Sequence, residues 1–272
     1  MKAKTSSELK RSARGLLLGK YSIAISVFMS TQLIITILTL LTRVSTSNGS
    51  MASLLMQIII TFIISLFSGI LGMGINAFYL NVACNRPYSI SDIFIGFKTC
   101  PDKAIGIQFF ILLFSYLALS PFYVSYFLLT TPLSLGLPFG QSDNPGTSLA
   151  RITVLILFTI LGLSLYLWVT LIYSHSFRLL LDFPDRSIGE ILGMSYKLMK
   201  GHKLRLLYIL FSFIPLILVG LISFGIGLLF VIPYINMTNT LFYLDLLNNK
   251  ASQGRGSEHA SLQSAPHIDC RV

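Results

Sequence analysis

Tyr173-Ser174-His175-Ser176 is where this sequence sets hydroxyl nucleophiles beside a histidine base. A serine activated in that way needs the imidazole within hydrogen-bond reach and a third group to orient the ring. Neighbours along a helix do not face one another, and no acid lies deep in the apolar run that precedes His175. The arrangement therefore predicts no nucleophilic catalysis. The glycines of "GILGMG", Gly69 to Gly74, have phosphate-loop density, yet no strand precedes them and no lysine follows. His202, His259 and His267 are too dispersed for a metal, and Cys84, Cys100 and Cys270 lack metal-ligand spacing. The expectation is a chain that is not an enzyme, with no catalytic, cofactor-binding or metal-binding residues and no cofactor.

Two other kinds of chemistry remain. Gln57, Asn76, Gln108, Asn236 and Asn239 are strong hydrogen-bonding side chains inside apolar runs. Asn76 and Asn239 lie near the similar stretches "AFYLN" and "LFYLD", where they are candidates for hydrogen bonds between helices, a substrate site being the alternative. Lys197, Lys200, Lys203 and Arg205 cluster after an apolar stripe and are candidates for contact with anionic lipid or a protein partner. Each base near an anionic surface contributes about 1 kcal/mol. The competing view is that these four only fix topology.

The elements that carry these residues follow from composition. Of 272 residues 54% are hydrophobic and 11% charged, against about a quarter charged in soluble domains. A helix crosses a bilayer in roughly 20 apolar residues, which gives six spans, near 22–42, 53–81, 104–130, 151–174, 204–222 and 226–247. Of the 20 basic residues, 18 fall on one side of that arrangement, leaving Arg43 and Arg151 for the other. The excess of basic residues on cytoplasmic loops predicts a multi-pass protein of the cell membrane with both termini on the cytoplasmic side. Topology and anionic headgroups account for the net charge of +10, and no recognition motif points to nucleic acid. The first span exceeds a signal-peptide core and lacks an Ala-x-Ala-like cleavage pattern, so it reads as a retained anchor. The sequons at Asn48 and Asn236 do not read as glycan sites. All three cysteines fall on the inner side and are expected as reduced thiols, and Cys270 misses the prenylation box.

A polar sentence is written more than once between the spans. Ser89-Ile90-Ser91-Asp92 and Ser187-Ile188-Gly189-Glu190 are capping boxes, and Thr5-Ser6-Ser7-Glu8 is a weaker third. Ile188, Ile191, Leu192, Ser195 and Met199 share one helical face, as do Ile90, Ile93, Phe94 and Phe97, and Leu9, Ala13, Leu16 and Leu17. Each stretch ends at a helix breaker followed by Lys, at Lys20, Lys103 and Lys203. The pattern predicts an all-α membrane protein of six transmembrane helices in three hairpins. Each hairpin follows an amphipathic helix in the interface plane, its apolar face in the acyl boundary, as a degenerate threefold repeat. The alternative is that any inner loop entering a span favours caps and aromatics.

The stretches "SSELKRSARGLLLGKYSIAI", "SYKLMKGHKLRLLYILFSFI" and "GIGLLFVIPYINMTNTLFYLDL" resemble an uncharacterised family of six-helix bacterial integral membrane proteins, classed as a domain of unknown function. Phe stands near position 230 where the family pattern has Trp. The resemblance implies a membrane location and this topology, and it brings no activity. Residues 1–247 then form one integral membrane domain, and 248–272, rich in Ser and Gly, a disordered cytoplasmic tail. Pro121, Pro215 and Pro233 are expected to kink spans. A non-enzymatic protein that organises lipids or protein partners at the inner leaflet fits these features. A permease subunit working with a separate ATPase is the alternative.

Overall fold

A computed structural model describes residues 4–45, 51–130 and 145–253, and the elements among them are helices, with no strand. In chain order they are α1 (Ser6–Leu17), α2 (Tyr21–Ser45), α3 (Met51–Ala83), a 3-10 turn (Ile90–Phe94), α4 (Ile95–Thr99), α5 (Pro101–Thr130) and α6 (Pro145–Tyr173). They continue as α7 (Ser176–Asp182), α8 (Ile188–Met199), α9 (Lys203–Phe211), α10 (Ile214–Ile222) and α11 (Leu228–Gln253). The sequon at Asn48, Arg255, His259, His267, Cys270, Arg271 and the tail from 254 lie outside the described residues, as do the side chains of Arg43 and Arg151.

The predicted caps set the helix starts. The Thr5 hydroxyl accepts from the Glu8 amide at 3.3 Å, and the Glu8 carboxylate accepts from the Thr5 amide at 2.6 Å. Ser187 and Glu190 repeat that reciprocal pair at 3.3 Å each way. Ser89 and Asp92 form the third box, where the shorter Asp opens a 3-10 turn leading into α4 rather than a long helix. The breakers after α1 and α8 are Gly19 and Gly201, at φ 77° and 84°, a left-handed backbone that glycine enters without a Cβ clash.

Five segments among the described residues are long and apolar enough to cross a membrane: Tyr21–Thr42, Leu55–Ala83, Pro101–Tyr126, Ile152–Asp182 and Lys203–Ile222. The expected sixth, 226–247, falls on α11 from Leu228 onward, a helix that does not qualify by composition. Asn236, Thr238, Asn239 and Thr240 dilute its hydropathy. Thr238 and Thr240 are fully buried, each donating its hydroxyl to the carbonyl four residues back, at 2.8 and 2.9 Å. α11 is thus a core helix, its polar groups shielded by protein. Pro121 and Pro233 sit inside α5 and α11, whereas at Pro215 the fifth span parts into α9 and α10 across Ser212 and Phe213.

The chain forms two compact units. The first joins 1–108 to 175–272. Within it α2 packs on α3, α11 packs on α1, α2, α3 and α10, and α7 lies against α3 and α8. Leu9, Ala13 and Leu17 are buried, and so are Ile191, Leu192, Leu198 and Met199. These stripes were expected to face the acyl boundary; they pack on protein instead, α1 on α11 and α8 on α7, because neighbouring helices offer a closer-packed apolar surface. The Ser89 stripe is only partly sunk. Ile93 is buried against α3, while Ile90 and Phe94 are exposed. The second unit, 109–174, holds the rest of α5 and all of α6. There the Phe114 and Tyr173 rings stack at 5.5 Å, and Gly162 lets α6 approach Phe122.

Candidate functional site

The polar residues of the first unit gather where span entries meet span exits. Lys20, entering α2, donates to the Asn85 side chain at 3.5 Å just beyond α3. Lys103, entering α5, donates to the Pro184 carbonyl at 2.6 Å. Arg205, in the first turn of α9, donates to the Asp245 carboxylate near the end of α11 at 2.6 Å, and also to the Lys4 carbonyl. Asp245 accepts from the Lys4 amide at 3.3 Å as well, so one carboxylate ties together α9, α11 and the residue before the α1 cap. Asp245→Asn keeps the size of that side chain but removes its charge. The expected result is a stability loss of about 2 kcal/mol, the range of a hydrogen bond to a charged group. Unfolding in a denaturing-detergent titration checks it.

The four sequence candidates divide into two kinds. Lys197 and Lys200 are exposed. Lys203 is half-buried, 5.3 Å above the Tyr196 ring, and Arg205 is half-buried in its ion pair. The Lys197 carbonyl accepts from Lys250 at 2.5 Å, and burial, then the Lys197 charge, holds the Lys250 ammonium below its usual value. Burial does the same to the His202 imidazole, followed by Arg205 and Lys250 and opposed by Asp245. Asn76 donates to the Gly72 carbonyl of its own helix at 2.8 Å, so that contact is intrahelical. The Asn239 side-chain oxygen is buried without a hydrogen-bond partner among the described residues. Cys84 is disulfide-bonded, which corrects the expectation of reduced thiols there: compartment sets a bias, while pairing depends on which sulfurs the fold brings together. Cys100 is a free thiol, pushed up by burial against the opposing Lys103 charge.

Sequence reasoning missed a buried network. His175, Arg178 and Asp182 lie one turn apart and are 0%, 4% and 4% exposed. An arginine nitrogen lies 2.8 Å from His175 Nδ1, and because guanidinium only donates, Nδ1 is the acceptor. The Tyr243 hydroxyl donates to Asp182 at 2.5 Å from α11. His175 Nε2 and the Ser176 hydroxyl are buried without partners among the described residues, and the His175 ring lies 5.8 Å from Phe242. The readable signal was the spacing of three and four in "HSFRLLLD", one polar face continuing past the expected end of the fourth span.

A cavity of about 450 Å³ lies at α1, α9 and α11. Lys10, Arg11 and Arg14 supply its charge, and Ser6, Ser7, Tyr208, Ser212 and Tyr234 supply hydroxyls. No acid lines it. Lys10 is fixed: its ammonium donates to the Ser212 carbonyl at 3.2 Å, at the break before Pro215, and lies 4.1 Å from the Phe213 ring centroid. Burial holds it below the usual lysine value. The Tyr234 hydroxyl donates to the Lys10 carbonyl at 3.2 Å, and Arg14 sits 5.9 Å over the Tyr234 ring. Arg11 is exposed. Such an arrangement can hold an oxyanion by charge-assisted hydrogen bonds.

The family described as "Protein of unknown function (DUF975)" matches residues 1–250. No curated protein and no solved structure matches the chain.

Proposed function

This chain belongs to the DUF975 family, and from that premise, which carries no assigned chemistry, we propose that it is a non-enzymatic multi-pass membrane protein that organises anionic lipids or protein partners at the inner leaflet. In this reading α11 is the sixth span, the spans form three hairpins, and both termini are cytoplasmic. The supporting observation is that a base near each hairpin's entry meets the same hairpin's exit: Lys20 with Asn85, Lys103 with Pro184, Arg205 with Asp245. Entries and exits paired in this way gather the basic ends on one face, where anionic headgroups are attracted.

The degenerate repeat has support of the same kind. Phe78-Tyr79-Leu80-Asn81, Leu179-Leu180-Leu181-Asp182 and Phe242-Tyr243-Leu244-Asp245 each end a hairpin on a polar residue. Asn81 donates to Asp92 of the Ser89 cap at 3.2 Å, and Asp245 accepts from Lys4 beside the Thr5 cap. α7 packs on the capped helix α8.

The test joins topology to composition. An impermeant thiol reagent should reach Lys98→Cys only after the membrane is opened. Protein purified in mild detergent should carry anionic phospholipid or a stoichiometric partner, and less of it after Lys197→Gln with Lys200→Gln. External labelling, or purification with neither lipid nor partner, would sink the reading.

A further inference from the structure

We infer that the cavity at α1, α9 and α11 is a binding site for the phosphate headgroup of an anionic membrane lipid, with the acyl chains lying along α9 and α10; this rests on the inner-leaflet reading above. The charge is concentrated and one-signed: among the described residues Lys10, Arg11 and Arg14 line the space with hydroxyls and without a carboxylate. Glu8, the acid nearest along α1, is committed to the Thr5 cap. The walls are built rather than incidental, because Lys10 and Tyr234 each hydrogen-bond across to another element. A phosphodiester fits the donor set, since guanidinium and hydroxyl groups satisfy several oxygens at once.

Geometry favours a lipid over a soluble phosphate. Tyr208 both lines the cavity and is 67% exposed. Leu204, Tyr208 and Phe211, at helical spacing on α9, present a continuous exposed apolar face inside the candidate span Lys203–Ile222. A headgroup in the cavity therefore has hydrocarbon-facing surface directly beside it. A free phosphate would use only the polar half of this arrangement.

The test uses the full-length protein in mild detergent, with native mass spectrometry after addition of phosphatidylglycerol or phosphatidylcholine. The wild type should retain one phosphatidylglycerol in preference to phosphatidylcholine. Arg11→Gln with Arg14→Gln should lower that retention on the order of tenfold, the worth of one charge-assisted hydrogen bond. Arg11→Gln alone, at an exposed position that leaves the fold intact, should lower it in the same direction. Lys197→Gln with Lys200→Gln should leave this single tight lipid in place. Equal retention of phosphatidylcholine would overturn the proposal, as would displacement of the lipid by millimolar inorganic phosphate. Loss confined to the Lys197 and Lys200 variant would overturn the cavity while leaving the inner-leaflet reading standing. A wild type that holds no anionic lipid but keeps a stoichiometric protein partner would overturn the cavity alone.

Discussion

Gly74→Ala is expected to dislodge the 3-10 turn from α3, whereas Gly72→Ala, two residues away in the same glycine-rich stretch, is expected to be tolerated. A Cβ added at Gly74 would lie 2.0 Å from the Ile93 carbonyl oxygen and 2.6 Å from its Cα, both backbone atoms that cannot rotate aside. The reciprocal approach is as close, since a Cβ at Gly96 would lie 2.6 Å from the Ile70 carbonyl oxygen. The Gly74 change should cost about 3 kcal/mol, the upper part of the overpacking range. A Cβ at Gly72 meets nothing within 4 Å. There, replacing a mid-helix glycine should be neutral or gain up to about 1 kcal/mol. Unfolding of the two variants in denaturing detergent separates them, and equal effects would refute the close crossing.

The second large effect is expected at Asp182. Asp182→Ala removes the acceptor of the Tyr243 hydroxyl and leaves the Arg178 guanidinium buried one turn away. Removing one partner from a buried charged network costs about 3–5 kcal/mol. Tyr243→Phe leaves the charges in place and removes one hydrogen bond, for about 1–3 kcal/mol. The order of the two variants is the decisive reading. If Tyr243→Phe were the more damaging, ring packing rather than charge would govern this part of the core.

These two sites also mark where sequence reading succeeds and where it stops. The stripe after Ser187 was legible because helical periodicity is local: Ile191, Leu192, Ser195 and Met199 are all buried. What covers such a stripe is not local. The pattern is the same whether the face meets acyl chains or another helix, so α1 and α8 were expected on lipid and lie on protein. α11 was legible as a helix, while its hydropathy falls short of the other spans because Asn236, Thr238, Asn239 and Thr240 dilute it, and its buried threonines satisfy their hydroxyls within their own helix. The Asp182 network went unread because the fourth span was read as ending at 174, short of Arg178 and Asp182, while the partner Tyr243 lies 61 residues beyond Asp182. The cavity was beyond reach altogether, since its walls are joined by a contact between Lys10 and Ser212, 202 residues apart.

That separation has a consequence for biosynthesis. Lys4 meets Asp245 across 241 residues, and the apolar stripe of α1 is covered by α11. Translation proceeds at about 5–20 residues per second, so α1 waits many seconds beside the ribosome before its cover is made. During that wait Leu9, Ala13 and Leu17 have only the membrane surface or a chaperone to meet. A nascent chain stopped anywhere before α11 keeps that greasy stripe uncovered and its Lys4 amide without Asp245. α1 thereby reports whether synthesis has reached α11, a signal that cellular quality control can read.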